Sequence, residues 1–279
     1  MSYRLIRKVL ILFLVTSMTF FSCSKQEDHH VITVAASPVP HAAILEQAKV
    51  LLAKEGYELR IMITNDYITP NLALTSNSVD ANFFQHVPYL HQYNIEHHSS
   101  IVPLDGIFLA PIGIYSKRVS KDYPLLDQLN EGDVILMSNS ITDQSRLLTL
   151  LQSVGILELH ANTEGAHVSF SDIKSIQKNL VIRNDIAPEL LTSMYKNNEA
   201  ALILINGNFA LDAGLNPLED AILLESTHHN PYANVVATLP KHRDSTKMKA
   251  LMRALQSDKI RQFIIATYKG SIVPIKNDN

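Results

Sequence analysis

The residues most able to do chemistry lie close together between Asp80 and Leu90. Here Phe83, Phe84 and Tyr89 alternate with Asn82, Gln85 and His86. Three rings, two carboxamides and an imidazole at this spacing suit the non-covalent capture of a small molecule. Rings wall an apolar slot, while amide and imidazole groups orient what enters it. An aromatic cluster by itself reads as packing. The polar trio Asn82, Gln85 and His86 shifts that reading, because polar groups buried beside rings need partners and a ligand can be one. Val79 to Phe83 suits a short strand, and Pro88 stands where the first turn of a helix tolerates proline. A strand end opening into a helix is where open α/β sheets place ligands. Phe83 alternates with Phe84 and is expected to point away from such a site, into the core.

Further polar residues stand at element ends. Arg146 opens an otherwise apolar run, Leu147 to Leu151. A cation in the first turn of a helix opposes the dipole and calls for compensation. One source is Asp143, three residues earlier, in a pair worth little if exposed. Asn206 and Asn208 flank Gly207 at the end of an apolar strand, where Asn-Gly is turn chemistry and Asn208 suits a helix cap. Asn234 follows Pro231 and Tyr232 and suits a turn equally well.

The elements that must position these residues follow from periodicity. Val31 to Ala36 is a compact apolar strand. His41 to Glu55 carries Ile44, Leu45, Ala48, Leu51 and Leu52 on one face and ends at Gly56. Glu58 to Thr64 alternates as a strand. Strand, helix, strand at this spacing is a βαβ unit and implies parallel pairing. Further along, Val134–Met137 reads as a strand, Gln144–Val154 as a helix closed by Gly155, and Ala201–Ile205 and Val235–Leu239 as strands. Ser245–Gln256 and Asp258–Lys269 read as two final helices. The fold class is α/β.

Arg4, Arg7 and Lys8 precede an almost wholly apolar run, Val9 to Phe21, shorter than the ~20 residues of a membrane span. Residues 1–22 therefore read as a secretory signal peptide. Cys23 is the single cysteine of the chain, so no internal disulfide forms. Its place resembles the lipobox of bacterial lipoproteins, although Phe20 and Phe21 stand where that box usually has Leu and a small residue. Cleavage there would make Cys23 the acylated first residue, a firm anchor when several chains act together. Ser24, not Asp, follows, so the usual inner-membrane retention signal is absent. Residues 23–30 read as a lipidated tether. Export removes three cations and no acid, moving the formal charge from −3 to −6. No basic stripe remains to suit nucleic acid.

Several stretches together resemble the methionine-binding lipoproteins, the NlpA family of ABC-importer substrate-binding proteins. They are Asp66–Tyr67–Ile68–Thr69–Pro70–Asn71, the aromatic segment above, Gly113–Ile114–Tyr115–Ser116–Lys117, Ile205–Asn206–Gly207–Asn208 and Pro231–Tyr232–Ala233–Asn234. They fall in the family's order, and the resemblance covers Ile32 to Pro274. It implies a periplasmic-binding-protein-like fold with a ligand cleft between two α/β lobes joined by two crossings. Lobe 1 would comprise residues 31–111 plus 233–279 and lobe 2 residues 112–232. It further implies a lipid-anchored protein of the bacterial cell envelope, facing the periplasm. Such a protein binds methionine or a close relative and delivers it to an ABC permease, without catalysis and without a cofactor.

A free amino acid needs a charge-assisted donor for its carboxylate, acceptors for its ammonium and an apolar slot for a thioether. By the resemblance, Arg146 matches the carboxylate clamp, and Asn206 and Asn234 match ligand-contacting amides. Tyr67, Phe84, His86 and Tyr89 would enclose the side chain. The chain departs from the family at Ala36–Ser37–Pro38–Val39–Pro40–His41, where a glycine-rich turn is usual. It departs again at Ser138 to Ser145, which lacks the family's prolines and glycine before the arginine. The ligand these departures leave is L-methionine, its D-form, a methionyl dipeptide or another apolar amino acid.

Two other classes compete. Twelve histidines, with pairs at His29–His30, His97–His98 and His228–His229, raise a zinc- or manganese-binding lipoprotein. Against it, no His-x-x-x-His or Cys pair occurs, and His86 and His91 are five apart. An enzyme is less supported, for the chain has no Gly-x-Ser-x-Gly, His-Glu-x-x-His or phosphate loop.

Overall fold

A computed structural model describes residues 30–160, 168–228 and 230–275. The signal peptide, Cys23 and the tether as far as His29 lie outside the described residues, as does His229.

Two mixed sheets carry the fold. The first holds β1 (Val31–Ala36), β2 (Glu58–Ile63), β3 (Ala81–His86), β4 (Val102–Leu109), β12 (Asn234–Thr238) and β13 (Val273–Pro274), in the order β13-β4-β12-β3-β1-β2. The second holds β5 (Gly113–Tyr115), β6 (Val134–Ser138), β9 (Val181–Ile186), β10 (Leu202–Ile205) and β11 (Leu223–Leu224), ordered β11-β5-β10-β6-β9. A small ladder pairs β7 (Leu157–Leu159) with β8 (Ile173–Ile176). The chain passes between the large sheets twice, after β4 and again before β12.

The parallel pairing expected of the first βαβ unit is present: β1 lies parallel to β2 and to β3. The sheet is nevertheless mixed, because β12 inserts antiparallel between β3 and β4. β12 returns from the second sheet rather than over a helix on the first, so no crossover constrains its direction. Periodicity did not announce β4, whose Pro103, Asp105 and Gly106 interrupt any alternation. Polar β8 and β9 escaped it for the same reason.

Each sheet is covered by apolar helix faces. The helix Ala43–Lys54 buries Ile44, Leu45, Ala48 and Leu52 against β1 and β3, and the helices Thr246–Leu255 and Asp258–Tyr268 pack in the same cluster. Gly56, in left-handed conformation at φ 82°, follows that first helix as its sequence suggested. Phe83 lies in this core beside Ile32, Val34 and Phe108, as alternation required.

On the second sheet the helix Ile141–Ser153 buries Leu147, Leu148, Leu150 and Leu151. Each contributes roughly 1.5–3 kcal/mol by leaving water. This helix starts three residues before the expected Gln144. Arg146 is therefore in its second turn, where the helix dipole opposes a cation only weakly, and not in the first turn expected from the sequence.

Candidate functional site

Strand β3 does not stop at Phe83 but runs to His86. Its register against β12 slips between Val236, opposite Phe83, and Val235, opposite Gln85, so Phe84 is the extra residue of a β-bulge. The bulge lets Asn82 and Gln85, three apart, share one side of the strand. There Gln85 Nε2 donates to Asn82 Oδ1 at 2.9 Å and to Asn71 Oδ1 at 2.8 Å. The buried amides are satisfied by one another, and the strand end is stiffened where it opens into the helix Val87–Glu96.

One cavity receives side chains from the first sheet and from the elements that follow strands of the second. Tyr67, Phe84, Gln85, His86, Tyr89, Ala110, Asp143, Arg146, Asn206, Asn208 and Asn234 line it. The seven ligand-binding candidates, namely Tyr67, Phe84, His86, Tyr89, Arg146, Asn206 and Asn234, are all present. Its volume is about 30 Å³, enough for about one water. A larger outer cleft of about 300 Å³ shares Tyr67 and Tyr89 with it.

Tyr67, Phe84 and Tyr89 form a ring cluster with centroids 5.8–6.0 Å apart. Tyr89 Oη donates to the Tyr67 carbonyl at 2.7 Å. Tyr67 Oη donates to Asn208 Oδ1 at 2.6 Å, and its ring packs on Phe209 at 5.0 Å. Burial, then the nearby Asp143 charge, pushes the Tyr67 hydroxyl well above its ordinary pKa, so it remains a donor. Asn208, read from the sequence as a helix cap, instead lies inside the helix Gly207–Asp212, whose cap position is Asn206, and lines the cavity.

Asp143 is the residue that sequence reasoning underrated. It is buried and accepts from His86 Nε2 at 3.1 Å, Asn206 Nδ2 at 2.9 Å and Arg146 Nη1 at 3.4 Å. Burial raises its pKa, but the His86 hydrogen bond and the Arg146 charge outweigh that and hold it well below the usual carboxylate range. His86 Nδ1 accepts from the Tyr89 backbone N–H at 3.2 Å, so Nε2 carries the proton given to Asp143. His86 is thus a neutral tautomer held from both sides and caps its own helix.

Arg146 is 7 % exposed, so the solvated surface pair with Asp143 considered from the sequence is not what forms. Its main partner is Glu225, which accepts from Nε at 2.9 Å and also from Nη2. The guanidinium stacks on the Tyr232 ring at 4.4 Å. Burial opposes its charge, and Glu225 and Asp143 more than restore it. Three of the five guanidinium N–H groups are engaged by these carboxylates, and among the described residues two are left for another acceptor. Nothing in the local sequence pointed to Glu225, seventy-nine residues away on the second crossing.

Asn206 gives its Nδ2 to Asp143, and its Oδ1 is buried with no hydrogen-bond partner among the described residues. A buried acceptor in a cavity wall can take a hydrogen bond from a donor that enters the cavity. Among the described residues, no three His, Cys, Asp or Glu side chains come together in a way that could hold a metal ion. His97, of one histidine pair, stacks on Tyr93 at 4.2 Å.

A sequence model described as NlpA lipoprotein matches residues 32–276. The chain belongs to the NlpA lipoprotein family. The methionine-binding lipoprotein MetQ of Bacillus subtilis (strain 168) is 41 % identical over 245 residues, 88 % of each chain. The D-methionine-binding lipoprotein MetQ of Escherichia coli (strain K12) is 32 % identical over 263 residues, covering 93 % of this chain and 94 % of that one. A nutrient-binding protein from Burkholderia cenocepacia, solved bound to methionine, superposes with a TM-score of 0.80 at 34 % identity, over 88 % of this chain and all of its own. The two-lobed α/β fold expected of NlpA lipoproteins is therefore the fold of this chain. Among the described residues, no helix is long and apolar enough to cross a membrane.

Proposed function

We propose that this NlpA lipoprotein binds methionine or a close relative in the inner cavity and hands it to an ABC permease, without catalysis. One observation carries the reading. The cavity joins an aromatic wall, a buried arginine with two N–H groups uncommitted among the described residues and a buried carboxamide oxygen with no partner among them. A zwitterionic amino acid with an apolar side chain supplies the complement of each. Its carboxylate meets Arg146, its ammonium meets Asn206 Oδ1, and its thioether lies among Tyr67, Phe84 and Tyr89, with sulfur–aromatic contacts worth ~0.3–1.5 kcal/mol. Asn234 and His86 complete the wall.

At about 30 Å³, the cavity admits methionine only if its walls part. We assign that motion to a hinge at residues 110–113 and 230–234, between a first lobe of residues 31–111 plus 233–279 and a second of 112–232. Acylation of Cys23 would tether the protein to the membrane, at the periplasmic face of the cell envelope. The name and bound ligand of the relatives support the choice of methionine among apolar amino acids.

The test is calorimetric titration of the soluble chain from Ser24 onward, unfolded and refolded to strip carried-over ligand. L-methionine, D-methionine, a methionyl dipeptide and zinc would be titrated separately. Saturable binding of a methionine compound, lost in Arg146→Ala, supports the reading. A folded protein that takes zinc and no methionine compound overturns it.

A further inference from the structure

His41 stands behind the cavity, outside its wall. It is fully buried on the turn Pro38–Ala42, with its ring against Phe83 at 4.8 Å and Phe108 at 4.9 Å. Its Nε2 lies 2.8 Å from Asn234 Oδ1. Its Nδ1 is buried with no partner among the described residues. Asn234 lines the cavity at the start of β12.

Two proton arrangements fit these positions. In one, Nε2–H donates to Asn234 Oδ1 and Nδ1 keeps a bare lone pair. In the other, the carboxamide is turned over and donates to Nε2, and Nδ1 carries a proton buried without an acceptor. An orphaned buried N–H is the rarer defect, so the first arrangement holds. In it the Asn234 Nδ2 group is directed to the cavity as a donor.

Asn206 is fixed in the opposite sense. The Asp143 carboxylate only accepts, so Asn206 must donate from Nδ2 and leave its Oδ1 in the cavity. The two asparagines therefore present opposite ends, each set by a residue behind it.

We infer that His41 is a positioning residue for ligand recognition: its Nε2–H locks Asn234 with the amide NH2 toward the cavity, where it takes the ligand's carboxylate or carbonyl oxygen while Asn206 takes the ammonium. This rests on the amino-acid-binding reading for the ligand, but the orientation of Asn234 does not. A ligand's polarity in the cleft is then set by two buried anchors, His41 and Asp143, rather than by Arg146 alone.

The first measurement is the ring tautomer of His41, by long-range 1H–15N NMR of the soluble chain without ligand. The expected result is a neutral ring protonated at Nε2; protonation at Nδ1 overturns the proposal whether or not methionine binds. The second is Asn234→Asp, which keeps shape but offers only acceptors. L-methionine affinity should fall by about 100-fold; unchanged or tighter binding overturns the donor assignment. The third is a double-mutant cycle. His41→Phe should weaken binding about tenfold in the native background and almost not at all in Asn234→Ala, with His41→Gln retaining part of the affinity. Additive losses would make His41 a packing residue only and overturn its role. If His41→Phe does not fold, the tautomer and Asn234→Asp decide the matter. If the native chain binds no methionine compound, the functional reading fails while the tautomer still tests the anchor.

Discussion

The Tyr67 hydroxyl donates to Oδ1 of Asn208 at 2.6 Å across 141 residues of sequence. Tyr67 follows β2 of the first sheet, and Asn208 lies in the helix after β10 of the second. With the His86–Asp143 contact at 3.1 Å, this bond ties the two sheets together over the cavity. Tyr67→Phe keeps the ring and removes the tie, at a net loss of about 1 kcal/mol. The expected outcome is a ligand-free protein with a larger radius of gyration by small-angle scattering and methionine affinity reduced about fivefold. An unchanged radius and affinity would show that the bond does not hold the cleft.

Arg146 separates two carboxylates that are largely removed from water. Arg146→Ala should destabilise the ligand-free chain by about 3–5 kcal/mol in denaturant titration, since it leaves Asp143 and Glu225 facing each other uncompensated. Adding Glu225→Gln should recover part of that loss. If Glu225→Gln instead adds its own penalty to Arg146→Ala, the two do not act as a pair.

Acid should expose His41. Burial pushes its pKa from 6.5 to about 4, against the hydrogen bond to Asn234. Between those values the unfolded chain binds a proton that the folded chain refuses, so stability falls as pH drops from 6.5 to about 4 and then levels for this group. At 1.36 kcal/mol per unit the loss is about 3 kcal/mol. Asp143, whose folded pKa is depressed, acts in the opposite place. Its stabilisation is present above 3.8 and is lost as pH falls below that value toward its folded pKa. Unfolding free energies measured from pH 7 to 4 should therefore show a limb that His41→Phe removes. A limb of equal size in the variant would assign it to other groups.

Phe84 is the bulge residue and one wall of the aromatic slot. Phe84→Ala should cost about 3–5 kcal/mol of stability, as for a buried ring. It should also reduce the preference for methionine over alanine in competition calorimetry. A retained preference would place the thioether elsewhere.

The sequence by itself determined the helices and strands whose apolar residues repeat, from Val31–Ala36 to the two final helices. It also supplied seven residues that now line a single cavity. These signals are local, or lie in ordered motifs, and a linear reading captures both. β4 and β9 were not legible, because Pro103, Asp105, Gly106 and the charged residues of β9 break the alternation that marks a strand.

Only the tertiary structure decided what faces what. It paired Arg146 with Glu225, made Asp143 the shared acceptor of His86, Asn206 and Arg146, and set His41 behind Asn234. Those partners are brought together by β12 inserting between β3 and β4 and by the chain crossing twice between sheets. A buried charge or amide must find its complement in space, and spacing along the chain carries no record of which distant residue provides it.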